Sequence, residues 1–269
     1  MKITVKVAGS CGELAQGMID GEPFLVTCPV NLFTTVTVSD EFVGHVGLGW
    51  KAEAMLTKTL EYLECAAFDF GIVLTTELPV GKGMASSSAD IAAVGKAAAL
   101  ALGVDLTAEE IAALAAAIEP TDGVFYEGIV AMNPLTGKIL SRYTLPEYKI
   151  VIFDFGGEVD TLDFNRRSNY NLVRLPNTFD LYMATSSALA NQSILNKPQL
   201  ENIIKLAKSM GALGVNIAHT GTVIGVIFAE DTEQAYIKSY ISTFTETFNH
   251  IKFIAAVKLI GGGFCVNHD

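Results

Sequence analysis

Short apolar runs and longer alanine-rich stretches divide the chain into two kinds of element. Lys2–Ala8, Pro23–Cys28, Phe33–Ser39, Ile72–Leu78, Lys149–Phe155, Thr222–Phe228 and Phe253–Ile260 are short, rich in Val, Ile, Thr or Phe, and bounded by Gly, Pro or Asp. That pattern predicts strands. Lys51–Cys65, Ser87–Leu102, Ala108–Ile118, Phe179–Asn191, Gln199–Met210 and Thr232–Phe248 read as helices. Several carry end signals: Gly103 and Gly211 follow the second and fifth, and Thr107-Ala108-Glu109-Glu110 is a capping box opening the third. Strands and helices mix without a strict βαβ repeat, which predicts an α+β fold rather than a doubly wound parallel sheet. There is no internal repeat. The segment "YTLPEY" separates two blocks of elements and puts a domain boundary near Tyr143–Lys149, giving 1–147 and 148–269.

Composition narrows the classes. Half of the 269 residues are hydrophobic and 17% are charged, which excludes a disordered chain. No window approaches the ~18 uninterrupted apolar residues of a membrane span. The opening "MKITVKVAGS" alternates like a strand and lacks the apolar core of a signal peptide. A net charge of −11 argues against a nucleic-acid backbone as partner, though not against a small phosphate held by local backbone dipoles. Cys11, Cys28, Cys65 and Cys265 form no C-x-x-C pair and have no His at zinc spacing, so they read as free thiols in a reducing compartment. Asn191-Gln192-Ser193 fits a glycosylation sequon by coincidence. The expectation is a cytoplasmic protein whose partners are small molecules, with neither nucleic acid nor membrane among them.

The stretch Pro79–Asp90, "PVGKGMASSSAD", lies between a strand and a helix. The first N–H groups of a helix are unsatisfied and the helix dipole adds partial positive charge there. Glycines let backbone approach a ligand, and serine hydroxyls add donors or a metal ligand. The stretch is neither a Walker A loop nor a G-x-G-x-x-G fingerprint. On these grounds alone an anion site and a plainly capped helix are both open.

"PVGKGMASSSA" closely resembles the P-x-x-x-G-[LM]-[GA]-S-S-x-A signature of the GHMP kinases (galactokinase, homoserine kinase, mevalonate kinase and relatives). The resemblance implies a two-domain fold, with a ribosomal-protein-S5-like N-terminal domain and a ferredoxin-like C-terminal one. It also implies that Pro79, Gly81, Lys82, Gly83, Met84, Ala85, Ser86, Ser87 and Ser88 wrap the phosphates of ATP, with Ser87 a Mg²⁺ ligand and Ser86 beside it on phosphate. "SCGELAQG" (Ser10–Gly17), "IEPTDGVFYEGI" (Ile118–Ile129), "FGGEVDTLDFN" (Phe155–Asn165) and "GALGVNIAHTGTVIGVIF" (Gly211–Phe228) look like the L-threonine kinases of cobalamin synthesis, along nearly the whole chain. That branch phosphorylates the hydroxyl of free L-threonine with ATP, and the product is later decarboxylated to the aminopropanol linker. Three features depart from the wider superfamily. The third motif reads "AHTGT" rather than Gly-rich, the first lacks the lysine of mevalonate kinase, and Asp90 follows the serines in place of a small residue.

The resemblance points to Asp122, in "EPTDG", as the catalytic aspartate; a turn residue is the alternative, since Asp-Gly is a common turn pair. Glu119 ends an otherwise uncharged stretch, "IAALAAAIE", at a helix C-terminus, where a carboxylate is unfavourable, so either Mg²⁺ shared with Ser87 or plain solvation explains it. Glu13 and Asp160 are candidates for the substrate ammonium, with Arg166 or Arg167 near its carboxylate, or each is a surface charge. His219 reads as a donor to a phosphate or substrate oxygen, or as a buried, satisfied histidine. Lys82 reads as a phosphate contact or a solvent-facing lysine. Trp50 reads as core.

Overall fold

The computed structural model describes residues 1–144, 146–157, 181–190 and 197–268. The chain opens with a hairpin of two 18-residue strands, β1 (Lys2–Ile19) and β2 (Glu22–Ser39). Asp20 and Gly21 turn it with positive φ angles of 49° and 83°. A two-residue hairpin turn of type I′ needs that left-handed pair. Then follow β3 (His45–Val46), α1 (Trp50–Tyr62), β4 (Gly71–Thr76), α2 (Ser86–Ala101), α3 (Ala108–Ala116), β5 (Ile129–Met132) and β6 (Ile139–Tyr143). The remainder is β7 (Tyr148–Asp154), α4 (Leu181–Ala190), α5 (Leu200–Ser209), β8 (Gly214–Ile217), β9 (Val223–Ala229), α6 (Gln234–Thr247), β10 (Lys252–Leu259) and β11 (Phe264–His268). The class is α+β, as the sequence predicts.

The strands join in one sheet. The pairings β1–β2, β2–β10, β10–β7, β7–β9, β9–β8 and β8–β1 form a closed circuit, so the sheet curls into a barrel-like shape. The two closing contacts are thin, Val30 against Leu259 and Glu13 against Ile217. The second of these brings the first hairpin against the C-terminal strands where the candidate site lies.

Each predicted helix has its counterpart, although the ends of Phe179–Asn191 fall outside the described residues. The strand predictions need correction. Lys2–Ala8 is only the first part of β1, while Pro23–Cys28 and Phe33–Ser39 are parts of one strand, β2. Pairing across the hairpin carries the backbone through "GSCGELAQG" and past Pro29, where local propensity alone ends a strand. The register shifts between Ala8 and Ala15 are bulges, which bend a strand and re-aim its side chains. The sequence reading missed β3, β5, β6, β8 and β11, all short strands held by their neighbours rather than by their own pattern.

Two apolar clusters hold the fold. In the larger, α2 is buried almost all round, packed on β1 and β2 below and on α1 and α3 at its sides. Its alanines permit that close approach, and a helix apolar on every face belongs inside. In the smaller, Phe153 stacks on Phe244 at 3.8 Å between centroids, with Phe228, Tyr240 and Phe248 around them. The capping box at α3 is formed, with Thr107 and Glu110 bonding reciprocally. Trp50 is not core: it is 60% exposed, at the start of α1. Among the described residues no helix is long and apolar enough to cross a membrane.

Candidate active site

Three loops meet at the N-terminus of α2. The bulged part of β1 donates from Ser10 N–H to the Met84 carbonyl at 2.9 Å and from Gly12 N–H to that of Gly83 at 3.2 Å. The loop after β8 donates from Thr222 and Val223 N–H to the Lys82 carbonyl at 2.9 and 3.2 Å. Gly83 (φ +80°) has no room for a side chain, because a Cβ there would lie 2.4 Å from that of Ala218. Contact between loops therefore requires this glycine, whatever ligand the loop holds.

The serines do not cap the helix. The N-cap of α2 is Ala85, held in the left-handed region (φ 54°, ψ 26°), and no side chain caps it. That conformation costs a non-glycine residue about 1–2 kcal/mol. The three hydroxyls serve other positions. Ser86 lines a cavity. Ser87 Oγ donates to Glu119 Oε1, and Ser88 Oγ accepts from Asp122 N–H at 2.9 Å. A helix start without a side-chain cap leaves backbone N–H groups for an external acceptor, which favours the anion site over the capped helix.

The cavity has a volume of about 1350 Å³. That exceeds the ~300–1,000 Å³ usual for one small ligand and leaves room for two. Gly81, Gly83, Met84, Ala85, Ser86, Ser87 and Ser88 line it, together with Glu119 and Asp122. Its wall also includes Trp50, Lys51, Leu74, Thr76 and Val80, and Glu13, Gln16, Met18, Pro23 and Leu25 of the first hairpin. Pro79 and Lys82 are not among the lining residues. Lys82 instead forms an ion pair with Asp154 Oδ2 at 3.0 Å and donates to the Gly157 carbonyl at 2.5 Å. Burial pushes the Asp154 carboxyl up, but hydrogen bonds from Thr222, Lys82 and Gly156 N–H hold it below the ordinary range.

Asp122 is held by Ser88 through its own N–H, and its Oδ2 accepts from Ser10 Oγ at 3.5 Å. Its Oδ1 is buried with no partner among the described residues. Burial, and then the charge of Glu13, push this carboxyl well above its usual range, against the weaker pull of the Ser10 hydroxyl and the Gly123 N–H. Glu119, 3% exposed, is satisfied on both oxygens, by Ser87 and by Lys51 Nζ at 2.5 Å.

Glu13 Oε2 accepts from His219 N–H at 2.9 Å and lies 3.0 Å from His219 Nδ1. His219 thus sits behind Glu13 rather than on the cavity wall, and its Nε2 is buried without a partner among the described residues. Lys197, 1% exposed, donates to the carbonyls of Ala218 and Gly221 at 2.9 and 2.8 Å and clamps the same loop. Burial pulls its ammonium down to about 8, against the attraction of Glu13. Asp90 accepts from Thr34 Oγ1 at 2.7 Å, and burial raises its carboxyl to about 6. Cys11 and Cys28 are buried free thiols, and burial raises both pKa values strongly. Asp160, Arg166 and Arg167 lie outside the described residues.

The family descriptions "GHMP kinases N terminal domain" and "GHMP kinases C terminal" match residues 51–127 and 174–245. The chain belongs to the GHMP kinase family. It is 31% identical over 243 residues to an L-threonine kinase of Salmonella typhimurium, covering 81% of this chain and 80% of that one. It is 29% identical over 255 residues to an L-threonine kinase of Citrobacter freundii, covering 85% and 88%. The fold matches that of the Methanococcus jannaschii mevalonate kinase, with a TM-score of 0.68 at 16% identity over 97% of this chain and 98% of that one. This family member has site residues that sequence reasoning missed. Lys51, Ser10 and Lys197 carry no motif of their own, and only Ser10 falls in a segment already singled out.

Proposed function

We propose that this GHMP kinase is an ATP-dependent L-threonine kinase, acting through Asp122. The observation that carries the reading is the pair of buried carboxylates, Glu13 and Asp122, facing one cavity beside the uncapped start of α2. Like charges held out of water call for a cation, and the ammonium of an amino acid supplies one. Glu13, fixed by His219, is the residue to receive it. Met18, Pro23 and Leu25 offer an apolar wall for the methyl group. The names of the two relatives support the same acceptor.

The loop from Gly81 to Ser88 would hold the phosphates of ATP. Ser87 and Glu119 fit a magnesium ion, being hard oxygen donors in direct contact at the cavity, and a bound ion would neutralise charge on the transferring phosphoryl group. Transfer forms a bond between the threonine hydroxyl oxygen and the γ-phosphorus and breaks the bond from that phosphorus to the β–γ bridging oxygen. ADP leaves. The hydroxyl proton goes to a carboxylate oxygen of Asp122, which Ser10 and Ser88 keep in place.

The same reading places the protein in the cytoplasm and its product in the supply of the aminopropanol linker of cobalamin. It divides the chain at 147/148, with an S5-like first domain and a ferredoxin-like second. The antiparallel strand order β10-β7-β9-β8, with helices between, supports the latter.

A coupled ADP-release assay across acceptors tests the activity. Threonine should be best. Serine lacks one methyl and should be about 10–200-fold poorer in kcat/KM. Homoserine displaces the attacking oxygen and should lose about 10²-fold. Alcohols without the ammonium or carboxylate leave site groups unpaired and should be poorest. Homoserine outrunning threonine would retire the threonine reading and leave the family.

A further inference from the structure

The cavity is lined by four carboxylates, Glu13, Asp90, Glu119 and Asp122, and among the described residues a single basic side chain, Lys51, faces them. A triphosphate brings further negative charge into that wall. Lys51 stands in the first turn of α1 with its side chain mostly buried, 2.5 Å from Glu119 Oε2. The other oxygen of Glu119 meets Ser87. An ammonium, a carboxylate and a serine hydroxyl thus form one chain across the point where the phosphate loop becomes a helix. We propose that Lys51 is a catalytic residue that exchanges partners: it neutralises Glu119 in the free protein and pairs with the phosphates when the nucleotide and its metal occupy the site.

Charge and chemistry support the exchange. Glu119 is buried, and a buried carboxylate without a cation is strongly unfavourable. Glu119 and Ser87 would hold a divalent ion, whose charge would replace that of the ammonium and leave Lys51 available to the phosphates. Lysine suits this role better than arginine, since its compact point charge ends a flexible stem and can re-aim without keeping a planar fork. The contact of Lys51 with Trp50, 5.6 Å from Nζ to the ring centroid, ties the move to an optical signal. Trp50 is the one tryptophan of the chain.

This inference rests on the nucleotide-binding half of the proposed function and not on the identity of the acceptor. The full chain is therefore titrated with Mg-ATP, with ATP plus chelator, and with Mg²⁺ alone, without threonine, following Trp50 emission and calorimetry. Wild type should bind Mg-ATP with a change in emission. Lys51→Met should bind it at least tenfold more weakly, and Lys51→Arg should recover only part of that loss. In turnover with threonine, kcat of Lys51→Met should fall about 10²–10³-fold, as for other groups that stabilise transition-state charge. Lys51→Met should also lower the Tm of the ligand-free protein, and Lys51→Met/Glu119→Gln should recover it, because the uncompensated carboxylate is gone. The double variant doubles as the folding control. If Lys51→Met weakens Mg-ATP in the wild-type background but not in the Glu119→Gln background, Lys51 acts only through Glu119 and the proposal is overturned. Wild-type affinity in Lys51→Met overturns it as well. A wild type that binds no Mg-ATP overturns the kinase reading itself.

Discussion

Glu119 and Asp122 stand three residues apart, line the same cavity and are both buried, yet their surroundings are opposite. Glu119 has a partner on each oxygen, a lysine and a serine hydroxyl. Asp122 has one long bond to Ser10, an orphaned second oxygen and the charge of Glu13 nearby. One carboxylate is compensated and so suits a cation; the other is left in want of a proton and so suits proton transfer. Environment, not residue type, separates the two roles: a lysine and a hydroxyl compensate Glu119, whereas burial and the charge of Glu13 hold the Asp122 carboxyl well above its usual range.

Asp122→Asn breaks the comparison most completely. It removes the proton acceptor but keeps size, so kcat should fall about 10²–10⁴-fold with little change in ATP affinity. The same variant should be more stable at pH 7. A carboxyl raised in the folded state binds its proton more tightly there than in the unfolded chain. The stability this gives is whole below the unfolded pKa of about 3.9 and is lost as pH rises through the folded value. Asparagine does not titrate, so its advantage should be seen at pH 7 and vanish below about pH 4. A Tm gain of about 2–4 °C corresponds to roughly 1 kcal/mol in a chain of this size. An inactive but less stable variant at pH 7 would mean that Asp122 is not held against its charge.

The compensated side comes next. Ser87→Ala and Glu119→Gln should each lower turnover about 10²-fold and raise the Mg²⁺ concentration at half-maximal rate, with circular dichroism unchanged. A folded Ser87→Ala protein with wild-type magnesium dependence would remove the pair from metal binding. A smaller change sharpens the electrostatics. Glu13→Gln takes away a charge that raises Asp122. The acid limb of kcat/KM should move to lower pH, while KM for threonine rises at least tenfold. If the limb stays in place, the coupling between the two carboxylates is absent in solution. The smallest effect concerns Asp90, whose carboxyl is raised to about 6 by burial. Asp90→Asn should leave stability unchanged below about pH 4 and increase it by at most about 3 kcal/mol as pH passes 6.

Much of the frame was legible in the residues alone. The helices, the capping box at Thr107 and the loop at Pro79–Asp90 announce themselves over spans of a few residues. Hydrogen bonds within a helix and at its ends join near neighbours, so a local pattern carries them. The motif also identified the family and brought Ser87 and Asp122 forward, the unfavourable charge at a helix end brought Glu119 forward, and the fold gathers all three in one cavity. It did not say why each residue is there. The glycine at 83 answers to Ala218, and the three serines answer to the cavity, Glu119 and Asp122 rather than to the helix cap.

What tertiary structure alone decided is the wiring between distant segments. Ser10 reaches Asp122 across 112 residues and Glu13 reaches His219 across 206. Lys51, with no motif around it, meets Glu119 because α1 packs against α3, just past whose end Glu119 lies. Lys82 turned to Asp154, and Trp50 stayed at the surface, for the same reason. The closed circuit of strands decides which loops face one another, and a charged side chain takes the partner that this closure brings within reach. Local pattern carried the helices and the family signature, but not the short strands. The partner of each charge depends on burial and on separations of a few ångströms between chain segments, which no local pattern encodes.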